Sequence, residues 1–156
     1  MRHGIAEDAS KGMSDAKRAL TSEGRKKMKE AASGFAKLGL EITRVFSSPL
    51  VRAWQTAEIL ASPLQLKVEE MPELAPGYPP SDVLRALKQL NGQKAVMLVG
   101  HQPNCSELAS HLLSSQGMVN VEFKKGAICL IYSENLTAGG GVLLSHFPPS
   151  ALRTMG

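Results

Sequence analysis

Residues 95–99, Ala-Val-Met-Leu-Val, are apolar without a break, and Gly100-His101 follows at once. A strand with one face in water alternates apolar and polar residues. An unbroken run fits a strand covered on both faces, as in a parallel sheet beneath helices. The elements around this run should therefore alternate strand and helix.

They do so along most of the chain. Thr21 is a good N-cap for a helix over roughly 22–38, and Met28, Ala31, Ala32, Phe35 and Leu38 recur on one of its faces. The basic run Arg25, Lys26, Lys27 and Lys29 lies mostly off that face and reads as a solvated surface. Gly39 fits the left-handed position after the helix end. Residues 42–46 read as a short buried strand. Ser48 then serves as cap and Pro49 as first position of a helix packed through Ala53, Trp54, Ala57 and Leu60. Leu66, Val68 and Glu70 alternate as a third strand, and residues 72–80, with four prolines and a glycine, form a loop.

Ser81 is placed as the cap of a helix with the stripe Val83, Leu84, Leu87 and Leu90, stopping near Asn91-Gly92. Asn104 is placed as the cap of another, facing inward through Cys105, Leu108, Ala109, Leu112 and Leu113. Residues 118–123 alternate weakly. Residues 127–132 and 142–147 are strands joined across a glycine-rich turn at 139–141, so they should be antiparallel. Residues 1–5 read as a strand end and its turn, and 6–19 as a surface loop able to cover a site. The expected fold is a single α/β domain over 1–156. It is a three-layer α/β/α sandwich with a mostly parallel mixed sheet and an antiparallel C-terminal hairpin.

Bulk properties narrow the function. The 156 residues carry 18 basic against 14 acidic side chains, a net charge of +4. That favours anionic ligands but is too small to argue for nucleic acid. At 4% aromatic residues the chain is also poor in base-stacking side chains. No run approaches the roughly 20 apolar residues of a membrane span, and no signal peptide is visible. A cytoplasmic protein with no membrane partner is the expectation. Cys105 and Cys129 have no metal-type spacing and read as small buried side chains in a reducing compartment.

The chemistry gathers where strands end. Open α/β sheets bind ligands beyond the carboxyl ends of their strands. His3 and His101 both sit just past such an end, and Arg52 lies in the first turn of a helix that follows a strand. A cation near a helix N-terminus opposes the macrodipole, unless an anion between them is held by both. Arg2 could add a second guanidinium, whose planar fork suits phosphate oxygens. A neutral imidazole can attack phosphorus and carry it covalently. A second imidazole would be useful protonated, as a donor to the phosphoryl oxygens.

Three stretches carry a family resemblance: Arg2-His3-Gly4; Ser47-Ser48-Pro49 with Arg52-Ala53 and Gln55-Thr56-Ala57; and Val99-Gly100-His101 with Pro103-Asn104. In this order they resemble the histidine phosphatase superfamily, also called phosphoglycerate mutase-like. The short chain, with Arg18-Ala19-Leu20-Thr21, Glu23-Gly24 and Met71-Pro72-Glu73-Leu74, is most similar to its SixA-type phosphohistidine phosphatases. The resemblance implies that His3 is the nucleophile and that Arg2 and Arg52 bind phosphoryl oxygens. His101 would be the second histidine of the pocket. Arg18 would lie near the site, and Gly4 would let the backbone approach it.

Larger members of the superfamily carry an acidic general acid. Glu73, Glu7 and Asp8 are candidates here, each more readily a solvated carboxylate. An alkoxide leaving group needs a proton. An imidazole, whose ordinary pKa is about 6.5, leaves far more easily. The pattern therefore suits a metal-independent, cofactor-free phosphatase acting on phosphohistidine in a signalling or phosphotransfer protein. The alternatives are a small-molecule phosphomonoesterase, acting on a phosphorylated metabolite, and a catalytically silent phosphate-binding module. His111 and His146 receive no role, and a metal site at His101 and Cys105 is disfavoured because Pro103-Asn104 puts the helix start between them. Relatives place an apolar central strand before Arg-His-Gly, whereas one residue precedes Arg2 here. The expectation is a truncated first strand. It fails if another segment fills that place in the sheet.

Overall fold

Helix α1 (Ser22–Lys37) begins where its cap predicts: the Thr21 hydroxyl accepts from the Gly24 amide at 2.9 Å. The chain then leaves α1 through Gly39 at φ +63°. The computed structural model describes residues 1–9, 11–90, 95–116 and 119–156. Strand β1 (Arg44–Ser47), α2 (Val51–Ala61), β2 (Val68–Glu70), α3 (Pro80–Lys88), β3 (Val96–Val99) and α4 (Asn104–Leu113) follow in order. The hairpin of β4 (Ile128–Ser133) and β5 (Gly141–Phe147) and the helix α5 (Pro149–Met155) close the chain. The strand expected over 42–46 thus starts two residues later. The stop expected near Asn91-Gly92 lies outside the described residues, as does the start of the weak alternation at 118–123.

β1 pairs in parallel with β2 on one side and β3 on the other. Both faces of this sheet are covered. Val45, Met97 and Val99 pack with α1, α2 and α5 through Phe35, Leu60 and Leu152. Phe46, Val96 and Leu98 pack with α3 and α4 through Leu84, Leu87 and Leu112. This is the three-layer α/β/α arrangement that the run at 95–99 implied. β4 and β5 are antiparallel, with a register shift at Leu130/Ile131.

Several helix starts differ from expectation. α2 begins at Val51 with Leu50 as its N-cap, and α3 at Pro80 rather than behind Ser81. α4 includes Asn104 as its first residue. The physical reason is that the expected caps have other partners. Ser48 Oγ lies against His101, and the Asn104 amide donates to the Tyr78 carbonyl at 2.8 Å. At α3, Pro80 itself takes the first helical position, where a missing N–H costs nothing. Helix α5, which the reading above did not assign, buries Leu152 completely.

Residues 1–3 join the two sheets. The His3 amide donates to the Gly100 carbonyl, the Gly100 amide to the Met1 carbonyl, and the Arg2 amide to the Ala127 carbonyl. Arg2 and Gly100 form a parallel bridge. The Met1 ammonium donates to the Leu98 carbonyl at 2.7 Å. Beyond Met1, β3 and β4 are not paired, and a cavity of about 190 Å³ lies between them, lined by Met1, Val96, Leu98, Ile128 and Leu130 among others. Among the described residues, no other strand is hydrogen-bonded into this place.

Candidate functional site

Three chain segments deliver the site to one edge of the sheet. His3 ends the short N-terminal segment, His101 follows β3 by two residues, and Ser48 follows β1, its amide held by the Val99 carbonyl at 3.0 Å. Arg52 comes from the first turn of α2. Burial is strong for polar groups: His3 is 7% exposed, Arg52 5% and His101 2%.

His3 has a defined tautomer. Its Nδ1 lies 2.7 Å from the Gly4 carbonyl, which can only accept, so Nδ1 carries the hydrogen and Nε2 keeps a lone pair. Arg52 Nε donates toward that lone pair at 3.3 Å. Burial, with Arg52, Arg2 and Lys125 nearby, lowers the His3 pKa to about 4, partly opposed by the Gly4 carbonyl. His3 is therefore neutral around pH 7, as a nitrogen nucleophile must be. Gly4 is fixed in turn: its amide donates to Thr56 Oγ at 3.0 Å, and Thr56 donates to the Arg52 carbonyl at 2.7 Å. A Cβ on Gly4 would come within 2.7 Å of Met28 Cγ, so close packing also favours glycine there.

The His101 ring lies 5.0 Å from the His3 ring, tilted by 54°. Its Nε2 is 2.8 Å from Ser48 Oγ, and that oxygen also accepts from the Leu50 amide at 3.3 Å. The serine oxygen keeps a hydrogen and a second lone pair, so it can pair with either tautomer; where it donates to Nε2, the neutral ring carries its own hydrogen on Nδ1. That Nδ1 is buried and has no partner among the described residues. Burial first, then His3 and Arg52, lower the His101 pKa to about 3. The ring is thus neutral in the unliganded site; the protonated form expected from the sequence is the one that a nearby phosphate would favour.

Asp15 is the residue that sequence reasoning missed. Arg52 donates to its carbonyl at 2.8 Å and to its Oδ2 at 2.9 Å, while Arg18 donates to Oδ1 at 2.7 Å. The Asp15 carboxyl is held below its ordinary pKa, first by the bond from Arg18 and then by that from Arg52. The loop between Ala6 and Leu20 is pinned at its base by their antiparallel bridge and by the Leu20 amide on Gln55 Oε1. Through Asp15 it reaches Arg52, with the carboxylate itself more than half exposed. The only hint in the sequence was an aspartate three residues before Arg18.

Arg18 reaches the site through Asp15 and also donates to the Glu7 carbonyl. Arg2 donates to the Phe123 carbonyl at 2.7 Å, and its buried Nε has no partner among the described residues. Glu7 and Asp8 are exposed. Glu73 lines the apolar cavity along with His101. Among the described residues, no group of three or more metal-ligating side chains comes together. The arrangement offers a neutral imidazole whose Nε2 electron pair meets Arg52 Nε, flanking guanidinium groups and a second buried imidazole. These are the requirements for receiving a tetrahedral oxyanion at nitrogen.

Comparison with known proteins gives the chain's family and fold. The family model of the histidine phosphatase superfamily (branch 1) matches residues 1–75. A structure of the protein histidine phosphatase SixA complexed with tungstate superimposes with a TM-score of 0.86 at 30% identity, covering 97% of this chain and 96% of that one. A phosphoserine phosphatase mutant from Entamoeba histolytica, in complex with phosphoserine, has a TM-score of 0.71 at 18% identity over 97% and 96% of the two chains. An uncharacterized protein of Picosynechococcus sp. is 36% identical over 133 residues, 81% of this chain and 79% of its own length.

Proposed function

The chain belongs to the histidine phosphatase superfamily, in its SixA-type group, and from that premise we propose that it hydrolyses phosphohistidine on a protein through a covalent phosphohistidine at His3. The observation that carries this reading is the His3 tautomer: Nδ1 is tied to the Gly4 carbonyl, and the lone pair of Nε2 sits beside Arg52.

In the first step Nε2 attacks phosphorus as the P–N bond to the substrate imidazole breaks. The substrate ring, protonated beforehand on its other nitrogen, departs as neutral imidazole. Arg52, Arg2 and the His101 Nδ1–H neutralise the equatorial oxygens, and Asp15 is displaced from Arg52. Water then attacks the phosphorus on His3, releasing inorganic phosphate and restoring neutral His3. Arg18 acts with Asp15 at the loop. Tungstate, with which the SixA structure is complexed, is like phosphate a tetrahedral oxyanion, which supports this reading.

The substrate choice rests on the leaving group. A phosphate ester needs a proton donor for its alkoxide. The carboxyl group bonded to Arg52, Asp15, is kept ionised by two arginines, which makes it a poor acid near neutral pH. Imidazole needs no such donor. The phosphomonoesterase reading draws on the phosphoserine phosphatase of the same fold.

The test is turnover of a panel of phosphohistidine proteins beside sugar, nucleotide and amino-acid phosphates, with trapping of acid-labile phosphoenzyme. Phosphohistidine turnover with label on His3, lost in His3→Ala, is the expected result. Strong ester turnover with none on phosphohistidine would establish the phosphomonoesterase instead. Label and turnover surviving in His3→Ala would remove His3 from the mechanism.

A further inference from the structure

Beside the His3 pocket runs a groove of about 480 Å³ lined by five cations and one carboxylate: Arg2, Lys27, Lys124, Lys125, Arg153 and Glu122. Its charge excess equals that of the whole chain, so the remainder of the molecule is close to neutral on balance. Gly4 and Ile5, which follow His3 directly, line it as well. The groove is thus continuous with the catalytic segment and shares Arg2 with it.

The cations differ in how far they are committed. Lys27 pairs with Glu23 one helical turn earlier, and Arg153 lies 3.8 Å from Glu30. Lys124 and Lys125 stand on the exposed turn after Phe123, and among the described residues neither forms an ion pair. Lys125 is close enough to the nucleophile to contribute to the lowered pKa of His3. Two uncommitted lysines beside a phosphoryl-transfer site serve no packing purpose.

We propose that this groove docks an acidic stretch of the phosphorylated partner protein, adjacent to the phosphohistidine presented to His3. The proposal rests on the reading of the chain as a protein phosphohistidine phosphatase, and it adds the charge of the partner. Lysines on a rim act mainly on encounter, which makes the interaction salt-sensitive: the screening length is about 8 Å at physiological ionic strength. The chain's low aromatic content disfavours a single-stranded nucleic acid as occupant, since base stacking has little to work with.

The experiment compares the wild type with a Lys124→Glu/Lys125→Glu double variant. Both positions are exposed and lie outside helix and strand, so the fold should be retained. Binding of a fluorescent decaglutamate peptide is followed by anisotropy at about 50 and about 200 mM salt. Wild-type binding should weaken with salt, and the variant should bind roughly tenfold more weakly at low salt, about 1.4 kcal/mol. Equal binding by the two proteins overturns the proposal. So does a wild type that prefers oligothymidylate to decaglutamate. In parallel, kcat/KM on an acidic phosphohistidine protein should fall roughly tenfold further in the variant, through KM, than kcat/KM on free phosphohistidine, which reports only the change of charge at Lys125 near His3. A parallel fall on both substrates also overturns docking, because it would place the lysines in the chemistry. Absence of phosphohistidine turnover in the wild type would instead overturn the functional reading, whatever the peptide does.

Discussion

The arginine fork of Arg52 is already occupied in the unliganded site, and this shapes what single substitutions should do. Asp15 supplies both a carbonyl and a carboxylate oxygen to it, so an arriving phosphoryl group must compete with the protein's own anion. Asp15→Asn keeps the size and removes the charge. Inorganic phosphate should then inhibit more tightly, on the order of tenfold, in line with the worth of one charged hydrogen bond. Competitive inhibition constants measure this. Weaker inhibition would mean that Asp15 orders Arg52 for phosphate rather than competing with it. Ser48 acts one bond further back, through the tautomer of His101. In Ser48→Ala the ring should lose its preference for hydrogen on Nδ1, with a fall in kcat larger than the change in KM. Nitrogen-15 NMR of the His101 ring reads the tautomer without reference to any substrate. Hydrogen on Nε2 in the wild type would remove Ser48 from that role.

At the level of elements, most of the fold was legible because apolar periodicity reports burial directly. The run at 95–99 and the stripe of α1 led to the correct layers, since Val45 and Phe46 must face opposite helices whatever the details. Helix starts were less legible. A serine or asparagine before a helix is a good cap only if its side chain is free. Ser48 is used by His101 and Asn104 by Tyr78, contacts between residues distant in sequence. The same reason hid Asp15, whose partner Arg52 lies in another segment. Thr21 donates its hydroxyl to the Ile5 carbonyl at 3.4 Å, which leaves its oxygen free to accept, and it does cap α1. Thr21→Ala should cost about 1 kcal/mol by urea unfolding. A change below about 0.3 kcal/mol would show that the backbone bond from Thr21 to the Ile5 carbonyl, not the hydroxyl, fixes this end of α1.

For the molecule as a whole, the buried histidines couple stability to pH. Their folded pKa values, about 4 for His3 and about 3 for His101, lie below the ordinary 6.5. As pH falls through 6.5 the unfolded chain takes up these protons and the folded chain does not, so stability decreases from there down toward pH 4 and below. Between about pH 6.5 and 5.5 few carboxylates titrate, so the loss in that window belongs to histidine. Unfolding free energies in His3→Gln should show a smaller slope there than in the wild type. Identical slopes would mean that His3 is not buried neutral in solution.

Among the described residues, the backbone hydrogen bonds between the two sheets run through residues 1–3, and this sets the largest stability effect expected. Across the cavity between β3 and β4, apolar side chains of both strands face space rather than one another. An extended segment entering Met1 from that side would continue the parallel bridge of Arg2 with Gly100, and an amide in place of the Met1 ammonium would keep the bond to the Leu98 carbonyl. Each valine or isoleucine so buried contributes about 1.5–3 kcal/mol, against about 1–2 kcal/mol for ordering its backbone and somewhat more for its side chain. A variant carrying Val-Ile-Val-Ile ahead of Met1 should therefore gain on the order of 1–3 kcal/mol. For a chain of this size that is a rise in Tm of roughly 5 °C. Amides of β3 and β4 facing the cavity should become slower to exchange with deuterium. A Tm unchanged or lowered would mean that the cavity does not accept a strand. Because His3 is the third residue of the same segment, the extension should also sharpen its placement and raise kcat without changing the pH at which His3 titrates.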